Sequence, residues 1–120
     1  MVERRLDIGI WAVGNHGEIM MAKGYWIARI DVTNPDKYQD YMKANAAAFN
    51  KFGARFIVRG GKFEAPEGTP RARNVVLEFA EYATAVACYH SPEYQAAKAF
   101  RDGAAAADLL IIEGYDGGQP

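Results

Sequence analysis

Cysteine is almost missing from this chain: Cys88 stands alone among 120 residues. That excludes a disulfide framework and a cysteine-based metal site within one chain, and it suits a reducing, cytoplasmic setting. Histidine is nearly as scarce, with His16 and His90 only. Two histidines in that spacing make no recognisable metal site, so neither a metal nor a cofactor is expected. No apolar run approaches the roughly 18 residues of a membrane helix, and no membrane partner is expected. Neither sign of charge dominates: 14 Lys and Arg against 15 Asp and Glu leave a net charge of −1. The basic excess that nucleic acid demands is absent. Gly60-Gly61 is followed by neither a Lys-Ser/Thr pair nor a helix start, so it is a turn and not a phosphate loop. What is present is an ordinary globular composition, 50% apolar and 24% charged, in a chain long enough to bury roughly two-thirds of its unfolded surface in one domain.

Residues 1–20 differ from the rest of the chain. Leu6, Ile8, Ile10 and Trp11 are interspersed with Glu3, Arg4, Arg5, Asp7 and Glu18, too charged for a signal peptide. Gly9, Gly14 and Gly17 argue against a helix. The segment reads as an N-terminal extension: an upstream start, a vector-derived lead or a genuine addition. The alternation of Leu6, Ile8 and Ile10 allows an added edge strand; a disordered tail is the plainer reading. The domain is expected to run from Met21 to residue 116, with 117–120 a tail.

Within that domain, Tyr25 to Val32 is rich in aromatic and β-branched residues and reads as a strand. Asn34-Pro35-Asp36 supplies a helix cap, a first-position proline and an acid in the first turn. Tyr38, Tyr41, Met42, Phe49 and Phe52 recur at helical spacing, and Gly53 stops the helix. Ala54 to Arg59 and Asn74 to Ala80 read as strands around a loop punctuated by Pro66, Gly68 and Pro70. Tyr82 to His90 reads as a helix, reset by Ser91-Pro92 into a second piece from Tyr94 to Ala107. Asp108 to Gly114 is the last strand. Strand, helix, strand, strand, helix, strand is the ferredoxin-like βαββαβ order. It makes an α+β fold, an antiparallel sheet with two helices on one face, the second of them in two pieces.

Side chains alternate across a strand. Trp26, Ala28, Ile30, Val32, Ala54, Phe56, Val58, Val75, Leu77, Phe79, Leu110 and Ile112 compose an apolar face, assigned to the helices. The other face mixes Tyr25, Ile27, Ile57, Val76, Leu109 and Ile111 with Arg29, Asp31, Arg55, Arg59, Glu78 and Glu113. A monomer would leave that surface in water. A two-fold homodimer, sheet against sheet, buries it and pairs equal numbers of acids and bases. Arg59 with Glu78 is the pair most expected to be buried.

From Gly24 to Gly114 the chain resembles the family called domain of unknown function 1330, in the dimeric α/β-barrel superfamily. The resemblance is carried by Gly24-Tyr25-Trp26, Asn34-Pro35, Gly53-Ala54-Arg55-Phe56, Val58-Arg59-Gly60-Gly61, Glu67-Gly68 and Leu77-Glu78-Phe79. Tyr89-His90-Ser91-Pro92-Glu93-Tyr94-Gln95, Arg101 and Glu113-Gly114 complete it. It implies a dimeric α/β barrel. It implies no reaction, because the superfamily spans cofactor-independent monooxygenases, haem-degrading enzymes, lactone isomerases and stress-responsive barrels whose catalytic residues differ.

Chemistry therefore rests on individual residues. His90 is the first candidate for acid–base work, with Glu78 as a second possible base; a cation at a helix C-terminus is the plainer role for His90. Tyr38, Tyr41, Tyr89 and Tyr94 suit the wall of a cleft between helices and sheet, or simply a core. Arg59, Arg73 and Arg101 suit a carboxylate or enolate, or ion pairs with Glu78, Glu93 or Asp102. Cys88 reads as a small buried helix residue. The leading expectation is a homodimer binding a small organic ligand through Tyr38, Tyr41, Arg59, Tyr94 and Arg101. The alternatives are a cofactor-independent monooxygenase, isomerase or decarboxylase acting on a small acid or aromatic, and a structural or stress-associated dimer. An enzyme places a perturbed titratable group beside empty space; a structural dimer packs its helices flush on the sheet.

Overall fold

The computed structural model describes residues 3–5, 10–13 and 18–120, with side chains from residue 22 onward. Glu3–Arg5 (β1), Ile10–Val13 (β2) and Glu18–Met21 (β3) pair antiparallel with one another, Arg4 opposite Ala12 and Trp11 opposite Met20. Among the described residues they form a sheet separate from the main one. Leu6 and Ile8 lie outside the described residues.

The main sheet contains Gly24–Val32 (β4), Arg55–Arg59 (β5), Arg73–Phe79 (β6) and Ala105–Glu113 (β7), in the order β5-β6-β4-β7 and antiparallel throughout. Pro35–Phe52 (α1), Tyr82–His90 (α2) and Pro92–Arg101 (α3) complete the ferredoxin-like layer pair. Among the described residues, no helix is long and apolar enough to cross a membrane.

Local chemistry fixes these boundaries. Asn34 caps α1, its Oδ1 accepting the Lys37 amide at 3.2 Å, ahead of Pro35. Gly53, at φ 66°, ends it in the left-handed conformation. Ser91 breaks the second helical segment: its hydroxyl donates to the Cys88 carbonyl at 2.7 Å and accepts the Tyr94 amide at 3.1 Å. Trp26 is the hub of the core. Phe49, Phe79, Tyr89 and Tyr94 surround it with ring centroids 4.8–5.9 Å away, and its indole N–H donates to the Ala85 carbonyl at 2.8 Å.

Four expectations are corrected. Ala105 to Ala107 are strand, not helix. The chain turns at Gly103, φ 77°, the Ala104 carbonyl accepts the Thr33 and Asn34 amides at 2.8 and 3.0 Å, and Ala105–Ala107 then pair with Val32, Asp31 and Ile30. Tertiary pairing overrides alanine's helical preference. The faces of β7 are inverted: Leu109 and Ile111 stand opposite Ala28 and Trp26 and pack on the core, while Leu110 and Ile112 are exposed on the outer face. Glu113, opposite Gly24, shares the helix-side register of Leu109 and Ile111 and so leaves the mixed face.

The fourth correction concerns β5. Its register shifts between Phe56 and Val58, so that Val58 stands opposite Val76 and Arg59 opposite Val75. A bulge inserts one residue and reverses the side-chain phase beyond it. Val58 is turned to the outer face, and Arg59 to the helix side. The expected pair of Arg59 with Glu78 does not exist. Glu78 is held instead by Lys23 at 3.1 Å, by Arg55 at 3.6 Å and by the Tyr25 hydroxyl at 3.2 Å.

Candidate functional site

The helix-side stripe of α1 comprises Tyr38, Tyr41, Met42, Asn45 and Phe49, at the spacing of one helical face. It does not seal against the sheet. A cleft remains between this stripe, the ends of β5 and β6, and α3. Trp26, Phe49, Phe56, Leu77 and Leu109 form its apolar walls, and Tyr38, Tyr41, Asn45, Arg59, Arg73, Tyr94 and Arg101 bring the polar groups. Its empty space, open mouth included, is about 450 Å3, whereas the room for the centre of a water molecule is about 30 Å3. The cleft is therefore a thin slot, wide enough for a water or two or for the edge of a flat ring once a side chain swings aside.

The polar groups are strongly one-sided. The Tyr41 and Tyr94 hydroxyls are 2.8 Å apart, and Arg101 donates to Tyr94 at 3.0 Å and to Tyr41 at 3.5 Å. The two hydroxyls carry two protons, and their mutual bond uses one; the other is left to donate. Arg101 also lies over the Tyr41 ring, 5.2 Å from its centroid. Arg59 lies over the Phe56 ring at 4.2 Å. Arg73 Nε is buried and has no hydrogen-bond partner among the described residues.

None of the described ion pairs involves Arg59, Arg73 or Arg101. The acids expected to pair with them are engaged elsewhere: Glu93 by Lys51 at 2.8 Å, Asp102 by Lys98 at 3.5 Å, and Glu78 on the opposite sheet face. Among the described residues, the lining of the cleft thus gathers three guanidinium groups and no carboxylate.

Burial governs the tyrosines here. It pushes Tyr94 far above the ordinary phenol range, the adjacent Tyr41 adding to the shift and Arg101 opposing it. It raises Tyr38 in the same way, with Tyr41 adding and Arg73 and Arg101 opposing. Tyr38 and Tyr94 therefore stay protonated at neutral pH. They donate hydrogen bonds and do not take protons.

Tyr38, Tyr41, Arg59, Tyr94 and Arg101 all stand on the wall of this one slot. His90 and Glu78 do not. His90 is exposed at the end of α2, its ring edge-on to Tyr89 at 5.2 Å. Glu78 faces the outer side of the sheet, and Lys23, helped by Tyr25 and opposed by burial, keeps its carboxyl below the usual range. Cys88 is fully buried and its thiol is pushed up to about 12, by burial first and Glu93 second. Asn45 is a further wall residue, buried at 8% exposure. Its position four residues after Tyr41 and seven after Tyr38 was a readable signal within the alanine-rich run.

These observations place the chain among known proteins. Residues 23–115 match the family described as Domain of unknown function (DUF1330), and the chain belongs to that family. No curated protein matches it. Among solved structures it is similar to a protein of unknown function from Rhodopseudomonas palustris, with 18% identity over 79% of this chain and 84% of that one, at a TM-score of 0.59. It is also similar to SnoaB, a cofactor-independent oxygenase from Streptomyces nogalater, with 10% identity over 79% and 95% of the two chains, at 0.54. A dimeric ferredoxin-like protein of unknown function from Thermobifida fusca is 14% identical over 94% and 99%, at 0.53. At these identities the likeness is one of fold.

Proposed function

We propose that this protein binds a small, partly aromatic organic anion in the slot between α1, α3 and the sheet, through Tyr38, Tyr41, Arg59, Tyr94 and Arg101 with Arg73 beside them. One observation carries the reading: three arginines line an aromatic slot to which none of the described residues brings a carboxylate. Like charges brought together without a counter-charge cost stability, and an anionic ligand removes that cost. The aromatic walls supply the apolar contact and the arginines the orientation. The site works in the cytosol, where a lone buried thiol such as Cys88 needs no partner.

The test is thermal unfolding against a panel of small aromatic carboxylates and their neutral amides. A ligand that binds only the folded state raises the midpoint. The acids are expected to raise it and the amides to leave it unchanged. Equal behaviour of acids and amides overturns the reading.

The outer face of the sheet supports a second copy as partner. Ile27, Val58, Leu110 and Ile112 are exposed there together. A contiguous exposed apolar patch marks an interaction site, and a two-fold pairing covers it. Arg29, Asp31 and Glu78 lie on this face, but each is bonded within its own chain, so apolar contact carries the proposed pairing. Arg59 and Glu113 have no place in it.

A second reading is turnover of the bound acid without a cofactor. Arg101 with a neutral tyrosine donor would stabilise an enolate oxygen as well as a carboxylate. Among the described residues no His, Asp or Glu lines the slot to take the proton, so this reading requires a substrate acidic enough to ionise by itself. Oxygen uptake in the presence of an enolisable acid is its measurement.

A further inference from the structure

The polar groups of the slot lie at two places along α1. Tyr38 is in the first turn, with Arg73 and Arg101 both close enough to oppose its raised pKa. Asn45 is seven residues on, roughly 10 Å further along the axis at 1.5 Å per residue. One of them contains a buried group without an acceptor, Arg73 Nε. At the other, Asn45 lines the slot as a largely buried residue, and its carboxamide, which is not among the buried unpaired groups, is open to the slot and free to bond a ligand there.

We infer that the ligand is two-ended: a flat ring acid whose carboxylate meets Arg73 and Arg101 near Tyr38, and whose far end presents a hydroxyl or carbonyl oxygen to Asn45. The inference rests on the reading of the slot as an anion site and narrows it to a ligand class. Charge and geometry supply the two ends separately. The acid end meets donors only, so it must be an acceptor and gains most as an anion. The far end meets a carboxamide, which donates and accepts, so a neutral oxygen suits it. The separation suits a single six-membered ring with substituents opposite one another. Between the ends run the Tyr41 ring on α1 and Trp26 below, so the bridging part is apolar and thin. Arg59, exposed and resting on the Phe56 ring, is the side chain free to swing aside for entry.

The experiment is calorimetric titration of the full chain with 4-hydroxybenzoate, benzoate and phenol. 4-Hydroxybenzoate is expected to bind about tenfold more tightly than benzoate, the worth of one neutral hydrogen bond, and phenol more weakly than either acid. Asn45→Leu, similar in volume, is expected to abolish the difference in affinity between 4-hydroxybenzoate and benzoate. Arg73→Gln is expected to weaken both acids. Equal binding of the two acids to the unaltered protein overturns the two-ended ligand and leaves the anion site standing; that comparison needs no variant to fold. Failure of both acids to bind overturns the anion site itself, and the two-ended ligand with it.

Discussion

The Tyr41 and Tyr94 hydroxyls stand 2.8 Å apart under one guanidinium, with Arg101 3.0 Å from Tyr94 and 3.5 Å from Tyr41. This cluster joins α1 to α3 at the slot, and it is the polar end of an otherwise apolar core. A neutral hydroxyl pair beside a fixed cation is a donor-rich site by construction.

Its first consequence is at alkaline pH. Burial raises Tyr94 and Tyr38 above the ordinary phenol value. In the unfolded chain both ionise near pH 10. The folded state then holds protons that the unfolded state has lost, so stability falls as pH rises. This contribution is complete below about pH 10 and is lost as pH climbs toward the raised folded values. Of the seven tyrosines, the buried ones are expected to ionise only as the protein unfolds. Near-ultraviolet absorbance followed beside circular dichroism checks it. A single step for every tyrosine with the fold intact contradicts it.

The second concerns the loop between β5 and β6. Its far end is strapped to the outer face: Arg71 bonds Asp31 at 2.9 Å and Asp108 at 2.8 Å, the Ala72 amide donates to Asp31 at 2.8 Å, and Arg29 reaches the Thr69 carbonyl at 3.3 Å. The Ala72 amide, then Arg71, lowers the Asp31 carboxyl, and Arg71 lowers Asp108. The strap is thus fully formed above about pH 4 and is lost as pH falls through the lowered folded values. These groups are exposed, so the effect is local. Arg71→Gln is expected to speed tryptic cleavage at Lys62 several-fold while the unfolding midpoint stays nearly constant. An unchanged cleavage rate contradicts the strap.

The order of elements was legible because its signals are local: Asn34-Pro35, Gly53 and Ser91-Pro92 each act within one turn of the chain. The aromatic and cationic wall of the slot was legible from residue type and helical spacing. What escaped was phase. Leu109 to Ile112 is apolar at every position and has no alternation to read. Asp108 was the clue, since it shares a face with Leu110 and Ile112, but Glu113 argues the opposite way. The bulge near Ile57 left no local mark, because Phe56, Ile57 and Val58 are all apolar. That single inserted residue moves Arg59 from the outer face into the slot. Asn45 is easily overlooked because alanine surrounds it.

A third prediction tests how closely the layers approach. A Cβ on Gly24 would lie 2.7 Å from both the Glu81 carbonyl oxygen and the Tyr82 Cα, backbone atoms that cannot rotate away. The start of α2 rests on the bare backbone of β4 there. Gly24→Ala is expected to cost about 1–3 kcal/mol, the usual penalty of overpacking. Gly118→Ala, where a Cβ meets nothing within 4 Å, serves as the control. Chemical denaturation reads both. Equal midpoints for the two variants contradict the close approach.

The last prediction separates apolar from ionic pairing on the outer face. Leu110 is 51% exposed there, with Ile27, Val58 and Ile112 also exposed. Two-fold symmetry places every substitution twice in the contact, and burying one such side chain is worth about 1.5–3 kcal/mol. Leu110→Lys therefore removes two apolar contacts and sets two cations in their place. It is expected to convert a dimer into a monomer at micromolar concentration. Glu78→Gln is expected to leave the dimer intact, because Lys23, Arg55 and Tyr25 of the same chain already engage that carboxylate. Added salt is expected to change the dimer little for the same reason, since it screens pairs that do not cross the contact. Sedimentation velocity distinguishes the cases. A monomeric unaltered protein removes the second copy, and a dimer lost in Glu78→Gln but kept in Leu110→Lys makes the contact ionic.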